Sequence, residues 1–514
     1  MINRLLVATL LSLCLLALLA HTASGAAALT NPVEATDFVG NRYWEEGLLL
    51  WADEQLYANV SPRWQGLPIH LPTSGAIAVR TELDGLLSSR INRYLDPGKI
   101  LLNNVGLMRT SGRRDLAYKL RFVPYFQELA ASDTMPIHRL GLTSELWVAP
   151  TGNLQVHLRM RLENHGDLYS QWNGRKWDEK ITGWVDQAAL YYALPRGVFA
   201  SVGRSSMIWG PEQHDALLLS DNAPPLDRIW LGYEHPALRF DYFVTRLDNV
   251  VHNDSTLVRY ISAHRLSFRK QGVFELGLSE LVLYGGHNRP IDWRYLNPFV
   301  PYYWEQWNRG SDDNIFFGVD FAIYWPRRAR IFGELMIDDF QIDFKSEPHQ
   351  VGYKLGLDAL EPLGLARLFT KLSYTRVNTT VYGQNQPQNL YLYYGKPIGY
   401  FDGNDQDRIL ALCRYHVGRT FDTELEFRFT RKGEGRIVQH ERSGVPYAEK
   451  FPTGVVETSP SVRFGLLMFD RRLIDGRLDL RYSHFRNYRN QDGRDEDRLE
   501  VNFFLAWFLQ GLSN

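Results

Sequence analysis

Two stretches of the sequence combine planar aromatic rings with hydrogen-bonding side chains. The first runs through Gly203-Arg204 and Trp209-Gly210-Pro211-Glu212-Gln213-His214-Asp215. It continues through Leu217-Leu218-Leu219-Ser220-Asp221-Asn222-Ala223-Pro224-Pro225 to Asp227-Arg228. The second runs from Asp292-Trp293-Arg294-Tyr295-Leu296-Asn297-Pro298 through Tyr302, Tyr303, Trp304, Trp307 and Asn308 to Asp312-Asp313-Asn314. Such rings stack on sugars, while Arg, Asp, Asn and Gln bond hydroxyl groups. The candidate ligand-binding residues for a glycan are therefore Arg204, Trp209, His214, Asp215, Arg228, Tyr295, Asn297, Trp304, Trp307, Asp312 and Asp313. Each stretch has a structural alternative. The first could fold inward and be held by Arg–carboxylate pairs; the second could be an interfacial aromatic girdle.

Other chemistry finds little support. The chain carries no Gly-x-Ser-x-Gly elbow, no His-Glu-x-x-His and no phosphate-binding loop, so no catalytic residue is assigned. Asp338 and Asp339 follow Glu334, but adjacent strand residues point to opposite faces, so unless a bulge intervenes they mark the strand leaving the bilayer rather than a catalytic pair. Asp402-Gly403-Asn404-Asp405-Gln406-Asp407 has the look of a calcium loop, yet Cys413 stands where a bidentate Glu would be needed. No metal and no cofactor are expected. A net charge of −1 supplies no general field for nucleic acid.

These residues need elements to hold them. Residues 1–26 read as a signal peptide, with Arg4, an apolar run from Leu5 to Ala20, and small residues at Ala23 to Ala26. Cys14 lies within that run, which leaves Cys413 as the single cysteine of the mature chain. Residues 27–110 read as a helical region, with helices expected near 36–58 and 76–94 around prolines 62, 68 and 72.

From about residue 115 the period changes to two. Leu154, Val156, Leu158, Met160 and Leu162 alternate with Gln155, His157, Arg159, Arg161 and Glu163; Leu425, Phe427 and Phe429 alternate with Glu424, Glu426 and Arg428. About eighteen such strands are expected, at 115–126, 139–149, 153–164, 183–194, 198–207, 228–234, 238–247, 257–269 and 273–284. The series goes on at 314–325, 330–340, 350–360, 366–377, 408–417, 422–431, 461–469, 476–486 and 498–509.

The connections alternate in length. Short ones include Pro195-Arg196-Gly197 and 326–329; long ones include 165–182, 208–227, 285–313, 378–407, 432–460 and 487–497. Bacterial outer-membrane barrels pair short periplasmic turns with long extracellular loops in this way. Residues 111–514 are therefore read as an all-β transmembrane antiparallel barrel, with 378–407 and 432–460 outside and 270–272 and 326–329 in the periplasm. The aromatic terminal strand, through Phe503, Phe504, Trp507 and Phe508, suits recognition by the barrel-assembly machinery.

The sequence resembles the capsule-assembly Wzi family of Gram-negative outer-membrane proteins. The resemblance rests on Gly203-Arg204, Trp209-Gly210-Pro211, Leu217 to Pro225, Tyr295-Leu296-Asn297-Pro298, Ser311-Asp312-Asp313-Asn314 and Glu334 to Phe340. It implies an 18-stranded barrel with a periplasmic helical bundle and a lectin-like role, anchoring capsular or related exopolysaccharide at the cell surface. The expected partners are that polysaccharide and outer-membrane lipid, and no enzyme activity is implied. The alternatives are a porin or sugar-specific channel, and an outer-membrane hydrolase.

Overall fold

Alternating side chains form strands because successive residues of a pleated chain face opposite ways, so one strand can serve two unlike surroundings. The computed structural model describes residues 117–507 except 133, 152, 178–179, 213–214, 236, 271–272, 326–328, 340–349, 366, 418–420, 439–449 and 471–473. The expected signal peptide and helical region lie outside the described residues.

Eighteen long strands follow in order. The first six are β1 (Ala117–Ala131), β2 (Thr134–Thr151), β3 (Leu154–Glu163), β4 (Thr182–Ala193), β5 (Val198–Ser205) and β6 (Leu226–His235). The next six are β7 (Leu238–Arg246), β8 (Ser255–Lys270), β9 (Phe274–His287), β10 (Asn314–Trp325), β11 (Ala329–Asp339) and β12 (Gln350–Leu360). The last six are β13 (Leu368–Val377), β14 (Gln406–His416), β15 (Phe421–Lys432), β16 (Glu457–Asp470), β17 (Ile474–Phe485) and β18 (Glu496–Trp507). Every strand pairs antiparallel with the next, and β1 pairs with β18 from Tyr125↔Ala506 to Ala131↔Glu500. That last ladder closes the sheet into a barrel, so each of the eighteen described strands has a partner on both sides. A short strand, Val250–His252, lengthens the hairpin before β8.

All the expected strands are found, and two of them, 314–325 and 350–360, begin and end at the expected residues. One end of the barrel carries tight turns such as Pro195–Gly197, and the other carries the connections 164–181, 206–225, 288–313, 378–405, 433–456 and 486–495. Residues 132–133 are a short exception at the long-loop end.

The two faces of the wall are inverted relative to a protein in water. On β15, Leu425 is 53% exposed while its neighbours Glu424 and Glu426 are 1% and 3% exposed. Leu162, Val202, Ile229, Leu231, Leu355, Leu372, Val462 and Phe464 likewise face out, whereas Arg139, Arg161, Arg265, Arg463 and Asp479 are buried inside. Bilayer hydrocarbon is the solvent that makes such an arrangement favourable.

Candidate functional site

The long connection between β5 and β6 does not stand above the barrel. Residues Trp209 and Leu217 to Leu219 are buried inside it, in one apolar cluster with Phe243, Ile261, Leu281, Leu283 and Phe316 of the wall. Wall groups grip this loop along its length. The Leu217 N–H donates to Glu334 at 2.7 Å, and Arg330 donates to the Pro211 carbonyl at 3.0 Å. Glu212 sits between Lys354, at 2.9 Å, and Lys371. Burial pushes the Glu212 carboxyl up, but the two ammonium groups outweigh burial and hold it at about 2. Between loop and wall there remains a cavity of about 10 Å³, enough for one water.

The connection 378–405 folds in above it. The hydroxyls of Tyr382 and Tyr391 donate to the Leu217 and Leu218 carbonyls at 2.5 and 2.7 Å, and Ser220 donates to the Gly399 carbonyl at 2.5 Å. Gly399 must be glycine here, because a Cβ would lie 2.1 Å from the Leu217 oxygen. Asp338 accepts the Tyr382 N–H at 2.5 Å. Glu334 and Asp338 therefore anchor the inserted loops; Asp338 does not simply mark where its strand ends, and the register of β11 shifts between Ile337 and Asp339. Asp405 ties the mouth together, accepting from Thr379 at 2.8 Å, from the Gly435 N–H at 2.7 Å and from the Thr453 N–H at 3.1 Å.

What this floor leaves uncovered at the rim is polar and aromatic. Arg204 donates to Asp227 through two bonds, at 3.0 and 2.5 Å, and both side chains remain partly open to solvent. Tyr393 and Tyr394 of the small hairpin Leu392–Pro397 lie near Arg204, and Tyr394 is 46% exposed. A ring face beside a guanidinium and a carboxylate can stack on a pyranose and bond its hydroxyls.

The other residues singled out from the sequence are scattered by the fold. Trp209 is sealed into the inserted loop against Phe243, with ring centres 5.4 Å apart, and offers no face to a ligand. Arg228 is buried, bonding Ser205 at 2.8 Å and lying over Trp230. The Asp215 carbonyl accepts from Lys354, and His214 lies outside the described residues.

Tyr295 and Asp313 are buried together, Tyr295 donating to Asp313 at 2.8 Å while Arg289 holds the same carboxylate at 2.9 Å. The Asn297 carboxamide is spent on a local turn to the Phe299 N–H, at 3.1 Å. Asp312 is exposed, and its carbonyl accepts from Asn389. Trp304 and Trp307 stand on a short helix, α1 (Tyr302–Arg309), that packs against the outer face of the wall, away from the mouth.

Of the ten described residues among them, Arg204 is the one that the fold places at the rim cluster. The tyrosines that complete it went unread, although Tyr391-Leu392-Tyr393-Tyr394-Gly395 concentrates rings beside a turn glycine.

A closed barrel with an outward apolar belt, two connections folded into its interior and a polar mouth defines an outer-membrane β-barrel. The family model of the capsule assembly protein Wzi matches residues 191–498, and the chain belongs to that family. It is an outer-membrane protein. Among solved structures it is similar to Wzi of Escherichia coli, an outer membrane protein involved in group 1 capsule assembly and described as a carbohydrate-binding β-barrel. The identity is 15%, the TM-score 0.55, and the match covers 95% of this chain and 99% of that one, a likeness of fold. The outer membrane protein OprD from Pseudomonas aeruginosa matches at 8% identity with a TM-score of 0.45, over 76% of this chain and 94% of that one. No curated protein sequence matches.

Proposed function

We propose that this protein binds a surface polysaccharide at its extracellular mouth and holds it to the outer membrane, as a lectin-like capsule-assembly protein without catalysis. The observation that carries this reading is the inward folding of 206–225 and 378–405 beneath an exposed rim of Arg204, Asp227 and Tyr394. A polymer that meets this surface finds hydrogen-bonding groups and a ring, and below them a packed floor rather than a path. The family and its carbohydrate-binding relative support the same reading. A channel would need an open lumen, and the inserted loops speak against one.

The test is retention. The double variant Arg204→Ala with Tyr394→Ala removes the cation and the ring without touching the floor. Cells carrying it should shed more polysaccharide into the medium while making the normal total. Trp304→Ala with Trp307→Ala, away from the mouth, should leave retention unchanged. Normal retention in the rim variant would overturn the reading, and a fall in total polysaccharide would point to export or synthesis instead.

A further inference from the structure

From Leu281 to Tyr284, strand β9 is buried on both sides. Leu281 and Leu283 face in, against the inserted loop, while Val282 and Tyr284 face out and are equally inaccessible. Their outer cover is the connection 288–313. Tyr295 and Tyr302 pack with Val282, Tyr284 and Ile315 on the outside of the wall. Tyr303 meets the outward ring of Phe317, with centres 5.7 Å apart.

The same cover lies over a polar group that no lipid-facing wall tolerates well. His264 and Glu280 face outward and pair at 3.0 Å. The N–H groups of Tyr302 and Tyr303, in the first turn of α1, donate to the two oxygens of Glu280 at 3.0 and 2.8 Å. Outward Ser262, next to this pair in the ladder, is fully buried.

The cover reaches far down the wall. Phe299 stacks on Phe240 at 5.6 Å, and Phe240 stands near the turn that joins β6 and β7, at the end opposite the long connections. In the ladder Phe240 is level with Leu266 and Leu278, eight residues below Gly286. Eight residues on tilted strands descend roughly 20 Å, most of the ~25 Å apolar belt of such a barrel. Exposed apolar side chains flank the cover at the same height: Leu231 opposite Tyr242 on one side, Leu335 opposite Val319 on the other.

We propose that 288–313 is an intramembrane latch: it shields the His264–Glu280 pair from the bilayer and presents its own rings to lipid acyl chains. Trp293, Phe299, Trp304 and Trp307 are 81%, 80%, 67% and 65% exposed on its outer surface. In water four such rings on one connection would be a liability; against hydrocarbon they are the suitable surface. The segment also bonds much of its own backbone, as hydrocarbon requires: Leu296 to Asp292, Asn297 to Arg294, Gly310 to Trp307 and Ser311 to Gln306. Five of its charged groups pair internally, Arg294 and Arg309 with Asp292 and Arg289 with Asp313.

Nitroxide labels test this in the full mature chain carrying Cys413→Ser, reconstituted in dimyristoylphosphatidylcholine vesicles. Labels at Trp304→Cys and at Trp307→Cys are compared with Val319→Cys on the bare wall and Tyr394→Cys at the mouth. Both helix labels should resemble Val319→Cys, relaxed strongly by oxygen and weakly by a water-soluble nickel chelate. Nickel accessibility equal to that of Tyr394→Cys would overturn the proposal, because the connection would then lie in water. Protection from both reagents, with spin–spin broadening between molecules, would overturn it in favour of a second copy covering the rings. Heat-modifiable mobility checks that each variant is folded, and the readout does not depend on any polysaccharide.

Discussion

The inner face of β15 and β16 is ionic, whereas the inner face of β9 is aliphatic. Glu424 takes hydrogen bonds from Arg414, Arg463 and Arg477, and Glu426 takes them from Arg463 and Arg428, all within 3.2 Å. Opposite this sector the outward face is bare, with Leu425, Phe427, Val462 and Phe464 exposed. On β8 to β10 the inward Ile261, Ala263, Leu281, Leu283 and Phe316 pack against inserted loops, and the outward Val282, Tyr284 and Ile315 lie under the latch. One wall thus has two designs. Where no described loop enters, long charged side chains satisfy one another; along β8 to β10 the inward positions that meet the loops are apolar, and beneath the latch Val282 and Tyr284 are covered from outside as well.

That contrast can be broken most forcefully in the ionic sector. Glu424→Ala removes an acceptor common to three guanidinium groups, of which Arg463 and Arg477 keep Asp479, and losing one partner of a buried ion pair typically costs about 3–5 kcal/mol. Urea unfolding in detergent should show a loss of that order, and a loss below about 1 kcal/mol would mean that the network is dispensable. In the apolar sector Leu283→Ala should cost about 2–5 kcal/mol through the cavity it leaves. Next to Glu424, Leu425→Arg puts a charge against lipid and should cost about 2–4 kcal/mol near the midplane. A Leu425→Arg variant as stable as the parent would argue that β15 does not face hydrocarbon there.

The ionic sector was the more legible in sequence. The Glu424–Leu425–Glu426–Phe427 alternation states both faces at once, and the sorted connection lengths point to a barrel with two unlike ends, which the β1–β18 ladder closes. The β8–β10 sector blurs the period: Leu281-Val282-Leu283-Tyr284 is a continuous apolar run, the mark of a strand covered on both faces. Read that way, the run would have announced an inserted loop and an outer cover. The burial of Trp209, Arg228 and Tyr295 was not legible in the sequence, because composition suits a sugar-binding loop and a buried plug equally well. Only the path of the loop separates the two, and that path is set by distant groups such as Glu334 and Tyr382.

The inserted loop should respond to acid. Glu212 titrates at about 2 against an ordinary 4.5, so the state with the loop released binds more protons than the inserted state. The stabilisation by Lys354 and Lys371 is therefore complete above about 4.5 and is lost as pH falls through about 2. Planar-bilayer conductance should rise across that window as the loop loosens. Glu212→Gln should conduct more at neutral pH and lose the dependence, and a parent-like titration in that variant would assign the effect to other carboxylates.

The smallest stability effect belongs to the rim. Arg204 and Asp227 pair in partial contact with solvent, and exposed pairs of this kind contribute about 0–1 kcal/mol. Arg204→Ala should therefore unfold in urea close to the parent, unlike Glu424→Ala, although both remove a bidentate or shared ionic contact. The reason is solvation: water replaces the guanidinium at Asp227, while nothing replaces Glu424 among the buried arginines. This near-silence in stability makes the rim a clean place to read function. If Arg204→Ala alone weakens polysaccharide retention while its unfolding curve overlays the parent, the loss lies in the ligand contact. If unfolding and retention fall together, the pair is part of the scaffold that keeps 378–405 seated, and the rim would have to be counted with the plug rather than with the binding surface.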